Sequence, residues 1–282
     1  MPDQMIKAGV VGWPIGHSRS PLIHNHWIDS LGLSGTYEAI AIDPKNFEAD
    51  IHSLIEAGYA GVNCTVPHKH VALAIADRVD ASAQNIGAAN TLIFAADGSI
   101  EARNTDAIGF MENLRAGAPS FDFNGKTALV LGAGGAARAI VYGLIEAGIG
   151  QVLLANRTKD RATELQNSLD GPIDVLDGDD REIALADADL LVNTTSLGMV
   201  GSPSLDMALD NLRPKALVTD IVYAPLETPL LAAARARGNV AVDGLGMLLH
   251  QAAPAFAVWF GVMPTVDVAL RQLIIDDLEQ NK

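Results

Sequence analysis

A single cysteine, Cys64, stands among 282 residues, so no intramolecular disulfide can form and nothing asks for an oxidising compartment. Aromatic residues make up only 5% of the chain, too few for an aromatic-rich all-β protein. Positive charge is also scarce: 19 Lys and Arg face 34 Asp and Glu, a formal net charge of -15. The field of such a chain repels nucleic acid and anionic membrane surfaces, which removes both as expected partners and leaves small-molecule ligands held by local donors. Apolar runs long enough to span a bilayer are missing, and the opening "MPDQMIKAGVVGWPIGH" lacks the apolar core of a signal peptide, so the expectation is a cytoplasmic protein.

What the chain does have is 49% hydrophobic residues and 26 glycines, the composition of α/β proteins built from Val, Ile, Leu and Ala. Its length suits two modest domains better than one large core. "KAGVVG", "TYEAIAI" and "GVNCTV" read as strands, separated by the helical patterns "PLIHNHWIDSLG" and "NFEADIHSLIEAG". A further helix is expected to begin near Pro67, whose missing N–H is harmless in a first turn. This alternation predicts a mainly parallel sheet covered on both faces. "TLIFAADGSIEARN" breaks it: two short extended runs flank Asp97-Gly98, a pair suited to a tight hairpin.

After a helix through "AIGFMENLRAG" and a polar stretch at 117–126, the chain restarts as strand, glycine turn and helix in "KTALVLGAGGAARAIVYGLIEAG". The later strands "QVLLAN", "PIDVL", "DLLVNTT", "ALVTDIVY" and "NVAVDG" make a second, doubly wound unit. The tail from "GMLLHQ" onward is helical, with no strand of its own, and is free to pack on the first domain.

Gly132, Gly134 and Ala137 have the spacing of a dinucleotide-binding turn: one glycine for the turn, one for close backbone approach to a pyrophosphate, and a small residue for helix packing. At the end of the next strand, where an acidic residue would hold the ribose hydroxyls of NAD, the sequence reads "NRTKDR". Arg157 can grip a 2′-phosphate through its planar fork, with Thr158 and Lys159 beside it, so NADP is favoured. The alternative is a helix start capped by Thr158 and followed by solvated basic residues.

In "GVNCTVPHKH", Asn63 and Thr65 share one face of a strand while Val62, Cys64 and Val66 take the other. Lys69 falls in the next helical turn, near the positive end of the helix dipole, where a cation is mildly disfavoured. It is either a proton donor or a surface lysine beside solvated histidines. Asp106 closes "RNTD" and is either its partner or a helix N-cap. Ser18 and Ser20 can donate to a carboxylate or cap a helix. The His pairs 24/26 and 68/70 do not share a helical face, and with no thiolate cluster or HExxH pattern no metal is expected.

Nine segments, in order, resemble the shikimate dehydrogenase family: "GWPIGHSRSPLIHN", "GVNCTVPHK", "GAANT", "NTDAIGF", "LGAGGAARA", "NRT", "NTTSLGM", "DIVYAPLETPLL" and "DGLGMLLHQ". The resemblance implies NADPH-dependent reversible reduction of 3-dehydroshikimate to shikimate, in the pathway to aromatic amino acids. It implies an α/β protein of two domains: a discontinuous substrate domain, 1–106 with 248–282, and a Rossmann-type NADP domain, 107–247. Lys69 and Asp106 look like the family's catalytic pair. Ser18 and Ser20 match the carboxylate site; Asn63, Thr65, Asn90 and Gln251 match the sites of the ring hydroxyls. Gly132, Ala133, Gly134, Gly135 and Ala136 match the glycine loop, Asn156, Arg157 and Thr158 the phosphate clamp, and Thr194 and Met199 lie along the cofactor. Tyr223 and Gly244 match positions where substrate and nicotinamide come together. A monomer or homodimer is expected.

Overall fold

The computed structural model describes residues 5–177 and 180–280. They form two compact units: the described residues up to Thr105 with Gln251–Glu279, and Asp106–His250.

In the first unit the chain runs β1 (Ile6–Gly12), α1 (Ser20–Ser30), β2 (Gly35–Ala41), α2 (Phe47–Glu56), β3 (Tyr59–Cys64), α3 (Lys69–Ala74), β4 (Arg78–Val79), α4 (Ala81–Ile86), β5 (Thr91–Phe94) and β6 (Ile100–Arg103). The sheet order is β2-β1-β3-β5-β6-β4. The pairs β1·β2, β1·β3 and β4·β6 are parallel, and β5 runs antiparallel to both of its neighbours. The expected hairpin is there, with Phe94 opposite Ile100 and the Asp97 carboxylate accepting from the Ser99 N–H at 3.0 Å.

Val11, Val62 and Cys64 point into one core with Phe47, Ile51 and Leu92. Each large apolar side chain buried there contributes roughly 1.5–3 kcal/mol. Cys64 is thus a buried apolar residue, as its alternation with valine suggests. The helix after β3 starts at Lys69, close to the expected start near Pro67 and with Lys69 in its first turn. The two-residue β4 and the short α4 carry too little periodicity to be legible in sequence.

The second unit comprises α5 (Asp106–Gly117), β7 (Thr127–Leu131), α6 (Gly135–Glu146), β8 (Gln151–Ala155), α7 (Lys159–Ser168), β9 (Ile173–Val175), α8 (Arg181–Ala184), β10 (Leu190–Asn193), β11 (Leu217–Asp220), α9 (Pro229–Ala236), β12 (Ala241–Val242) and the start of α10 (Leu245–Phe260). Its sheet, β12-β11-β10-β7-β8-β9, is parallel throughout. Alternation feeds a core on each face. Ala128, Val130, Val152 and Leu154 enter one, and Leu129, Leu131, Leu153 and Ala155 the other. Strands buried on both faces have to read as continuous apolar runs, and these do.

The rest of α10, with α11 (Val268–Gln280), returns to the first unit. Trp259 donates its indole N–H to the Leu92 carbonyl at 3.2 Å, and Trp27 donates to the Thr265 carbonyl at 3.1 Å. Gly61 makes this approach possible, since a Cβ there would stand 2.2 Å from Trp259 Nε1.

Candidate functional site

One edge of the first sheet gathers the ends of β1, β3 and β6 and the beginning of β5, because the antiparallel β5 starts where its neighbour β3 finishes: Asn63 lies opposite Thr91, and Thr91 opposite Arg103. Asn63 and Asn90, both singled out in sequence, sit at that edge. Asn63 is buried, and its amide nitrogen donates to the Asn90 carbonyl and to Thr91 Oγ1, both at 3.1 Å. Its oxygen accepts from the Tyr37 hydroxyl at 2.6 Å. Thr91 Oγ1 donates to Asn90 Oδ1 at 2.9 Å, and the Thr105 N–H reaches the same oxygen at 2.9 Å. Asn90 Nδ2 then donates to Thr105 Oγ1 at 2.9 Å and to Gln251 Oε1 at 3.4 Å. Asn63, Asn90 and Gln251, far apart in sequence, are therefore joined by one hydrogen-bonded network.

Burial raises the Tyr37 phenol well above its ordinary value, with Cys64 adding to the shift and the Ser20 hydroxyl opposing it, so Tyr37 serves as a neutral donor. Its ring stacks on His24 at 3.9 Å between centroids. His24 is wholly buried and neither ring nitrogen finds a hydrogen-bond partner among the described residues. Desolvation pushes its pKa down to about 3, so the ring is neutral at physiological pH.

Ser18 and Ser20 flank Arg19, which occupies the cap position of α1 without making a side-chain cap. Ser18 Oγ accepts from the Ser20 N–H at 3.3 Å, while Ser20 is already the first helical residue. Arg19 Nε meets Asp277 of α11 at 2.5 Å, which ties the tail helix to this loop. Thr65 follows the end of β3 and is half-buried; its N–H donates to the Val11 carbonyl at 3.0 Å. Lys69 is the first residue of α3, in the helical turn where the sequence placed it, and it is half-buried. The histidines beside it differ from each other. His68 is buried, packed on Phe47 with Nε2 2.9 Å from the Ile42 carbonyl, and burial lowers its pKa. His70 is exposed, so the picture of two solvated histidines holds for one of them.

In the second unit, Asp106 is buried as the first residue of α5, so its carboxylate lies in the favourable first turn rather than ahead of the helix. The strand order reverses between β7 and β10, the position where open parallel sheets bind ligands. The turn after β7 carries Gly132, Ala133 and Gly134, and α6 opens with Gly135 and Ala136. Gly132 has φ +110°, and a Cβ there would lie 2.5 Å from Thr194 Oγ1, which itself donates to the Leu131 carbonyl at 2.7 Å. A Cβ on Gly134 or Gly135 would meet nothing within 4 Å. That pairing of a forced turn with open space over a helix N-terminus fits a pyrophosphate, which needs backbone N–H groups without side chains in the way.

The end of β8 fits NADP equally well. Asn156 Nδ2 donates to the Thr158 carbonyl at 2.7 Å, Arg157 is exposed, and no carboxylate occupies the "NRT" segment. Thr158 stands at the cap position of α7 yet makes no side-chain cap, so the simple helix-cap reading does not account for its hydroxyl. Lys159 is paired with Asp177 at 2.5 Å and is thereby occupied.

Met199 is partly exposed in the loop that follows Thr194, and Tyr223 is half-buried beyond β11. Both segments are braced by residues that sequence reasoning passed over. Asn193 Nδ2 donates to Asp220 Oδ1 at 3.0 Å, and Asp220 also accepts from the Val222 N–H and the Thr228 hydroxyl. Burial is the main influence on Asp220 and raises its pKa, with these three donors opposing. A carboxylate ending the apolar strand "ALVTDIVY" was the available signal. Gly244 packs against this brace, with a notional Cβ 2.2 Å from the Ile221 carbonyl oxygen. In the first unit the missed residues are Tyr37, Thr91 and Thr105; the last two sit beside predicted ones in "GAANT" and "NTDAIGF".

Comparison with known proteins identifies the family. Residues 10–92 match the shikimate dehydrogenase substrate binding domain, 116–222 the shikimate / quinate 5-dehydrogenase family and 244–274 the shikimate 5'-dehydrogenase C-terminal domain. The NADP(+) shikimate dehydrogenase of Rhodospirillum rubrum is 52% identical over 272 residues, covering 95% of this chain and 96% of the relative. That of Paramagnetospirillum magneticum is 50% identical over 268 residues, 95% and 97% of the two chains. Among solved structures, shikimate 5-dehydrogenase from Thermus thermophilus, in complex with NADP(H) and shikimate, superposes with a TM-score of 0.85 at 35% identity, covering 99% of this chain and 100% of that one. The chain belongs to the shikimate dehydrogenase family.

Proposed function

We propose that this chain catalyses the reversible, NADPH-dependent reduction of 3-dehydroshikimate to shikimate, a step of the shikimate pathway. The observation that carries the reading is the network that unites Asn63, Asn90 and Gln251 at one sheet edge beside the ends of β1 and β3. A small, rigid, polyhydroxylated ring is recognised by donors and acceptors held in fixed orientation.

Residues 1–106 and 248–282 serve the substrate, and 107–247 serve the cofactor. Ser18 and Ser20 receive the carboxylate without adding charge to an acidic chain. Thr65, Asn63, Asn90, Gln251 and Tyr223 address the rest of the substrate. Lys69 delivers a proton to the carbonyl oxygen during reduction and takes one back in the reverse direction, its ammonium stabilising the developing alkoxide. Asp106 orients that ammonium and the adjacent hydroxyl. Gly132, Ala133, Gly134, Gly135 and Ala136 would hold the pyrophosphate of NADP, Asn156, Arg157 and Thr158 its 2′-phosphate, and Thr194, Met199 and Gly244 its nicotinamide half. When bound, that group supplies the hydride. A single cysteine fits a cytoplasmic setting, where thiols stay reduced, and the chain acts as a monomer or homodimer.

The decisive assay follows NADPH absorbance after 3-dehydroshikimate is added, with NADH and with quinate and NADP+ as comparisons. Rapid oxidation of NADPH, slower oxidation of NADH and little reaction with quinate are expected. No absorbance change with 3-dehydroshikimate would end the proposal, and equal rates with quinate would make this a quinate/shikimate enzyme.

A further inference from the structure

Thr91 is fully buried, and no part of the proposed reaction uses it. Its hydroxyl nevertheless stands between two amides that the proposed function assigns to the substrate, and the directions of its hydrogen bonds can be deduced. A carbonyl oxygen only accepts, so the Asn63 atom 3.1 Å from the Asn90 carbonyl is the nitrogen. The same nitrogen faces Thr91 Oγ1 at 3.1 Å, so Oγ1 must accept there. A hydroxyl has one proton, and that of Thr91 goes to the Asn90 side chain at 2.9 Å. The receiving atom is therefore oxygen, an assignment made independently by the Thr105 N–H, which donates to the same atom at 2.9 Å. With its oxygen so engaged, Asn90 must turn its NH2 toward Thr105 Oγ1 and Gln251 Oε1.

We infer that Thr91 is a positioning residue for substrate recognition: its hydroxyl joins Asn63 to Asn90 and, together with the Thr105 N–H, holds Asn90 as a donor toward Gln251. An amide free to flip would offer the ligand the wrong group half the time, or would have to be reordered on binding. Cross-strand register makes the arrangement rigid, since Thr91 and Asn63 are directly opposed on neighbouring strands. The inference rests on the proposed reading of Asn90 and Gln251 as substrate ligands.

The test is steady-state kinetics of Thr91→Val, which keeps the shape and removes the hydroxyl, beside Thr91→Ser, which restores it. For Thr91→Val the expected outcome is a shikimate KM raised about 5- to 20-fold, from loss of one buried hydrogen bond and the order it imposes. The turnover number should stay within about threefold, because the proton-transfer group is untouched. The KM for NADP+ should be unchanged, and Thr91→Ser should return the shikimate KM to within about twofold of wild type. A merely structural threonine would instead lower the melting temperature and move both KM values together, and that result overturns the inference. So does an unchanged shikimate KM in Thr91→Val. If Thr91→Val does not fold, Thr91→Ala removes the same hydroxyl with less steric demand, and an unaltered shikimate KM in that variant is equally fatal. Failure of the wild type to oxidise shikimate sinks the proposed reaction itself, whereas an active wild type with indifferent variants sinks only the role of Thr91.

Discussion

The two units prepare for their ligands by opposite means. In the first, polar side chains are bonded to one another in advance, and Asn63 and Asn90 have their amide orientations fixed by partners that can act in only one sense. In the second, the glycine turn is bare: the groups on offer are backbone N–H donors, a helix terminus and one exposed guanidinium. The difference follows from ligand chemistry. A ring with several hydroxyls is distinguished from its isomers only by donors and acceptors held at set positions, which means side chains locked by burial. A pyrophosphate is a diffuse anion, and a helix N-terminus stripped of side chains already satisfies it.

Substitutions can test this contrast from either side. The largest effect is expected for Lys69→Ala, which should lower the turnover number by about 10²- to 10⁴-fold while changing the shikimate KM only slightly. Turnover near the wild-type value would remove Lys69 as the proton donor. Next comes Arg157→Ala, which should raise the KM for NADP+ by about 10- to 100-fold, the worth of charge-assisted bonds to a phosphate, and leave the shikimate KM alone. An effect on both constants would mean that the two preparations are not separable. Gly132→Ala places a Cβ on a φ of +110° and against Thr194. It should cost about 1–3 kcal/mol in urea unfolding and weaken NADP+ binding, whereas an alanine tolerated without loss would deny the turn its strict geometry.

The smallest effect concerns the packing behind the first site. His24 has an ordinary pKa of 6.5, held at about 3 in the folded protein. Between those values the unfolded chain takes up a proton that the folded one refuses. The neutral ring therefore counts fully toward stability above pH 6.5, and that contribution shrinks as the pH falls toward 3. The loss is about 2 kcal/mol at pH 5. Urea midpoints measured at pH 7 and pH 5 should differ less in His24→Phe than in the wild type. An identical pH dependence in the two would show that another group governs acid stability.

Much of this protein can be read before any coordinates. The apolar runs "TALVL" and "QVLLA", separated by a glycine turn and a helix, specify parallel strands buried on both faces and the glycine turn after the first of them, because apolar runs and glycine dihedrals are local properties. Asp97-Gly98 specifies the hairpin for the same reason. The two-residue β4 and the six-residue α4 escape such a reading, since neither is long enough to show a period. His68 looks solvated in sequence because burial is not local: it depends on Phe47 and the Ile42 carbonyl, more than twenty positions away.

By itself, then, the sequence determined the longer strands and helices in their order, the glycine turn, the arginine where an acid would otherwise stand, and the family. Tertiary structure alone decided which amides meet, in which direction their hydrogen bonds run, and that Tyr37, Thr91, Thr105, Asn193 and Asp220 hold the others in place. The physical reason is that a hydrogen bond needs two partners at about 3 Å, and strand register brings Asn63 to Thr91 and Asn90 to Thr105 across separations the linear chain does not encode.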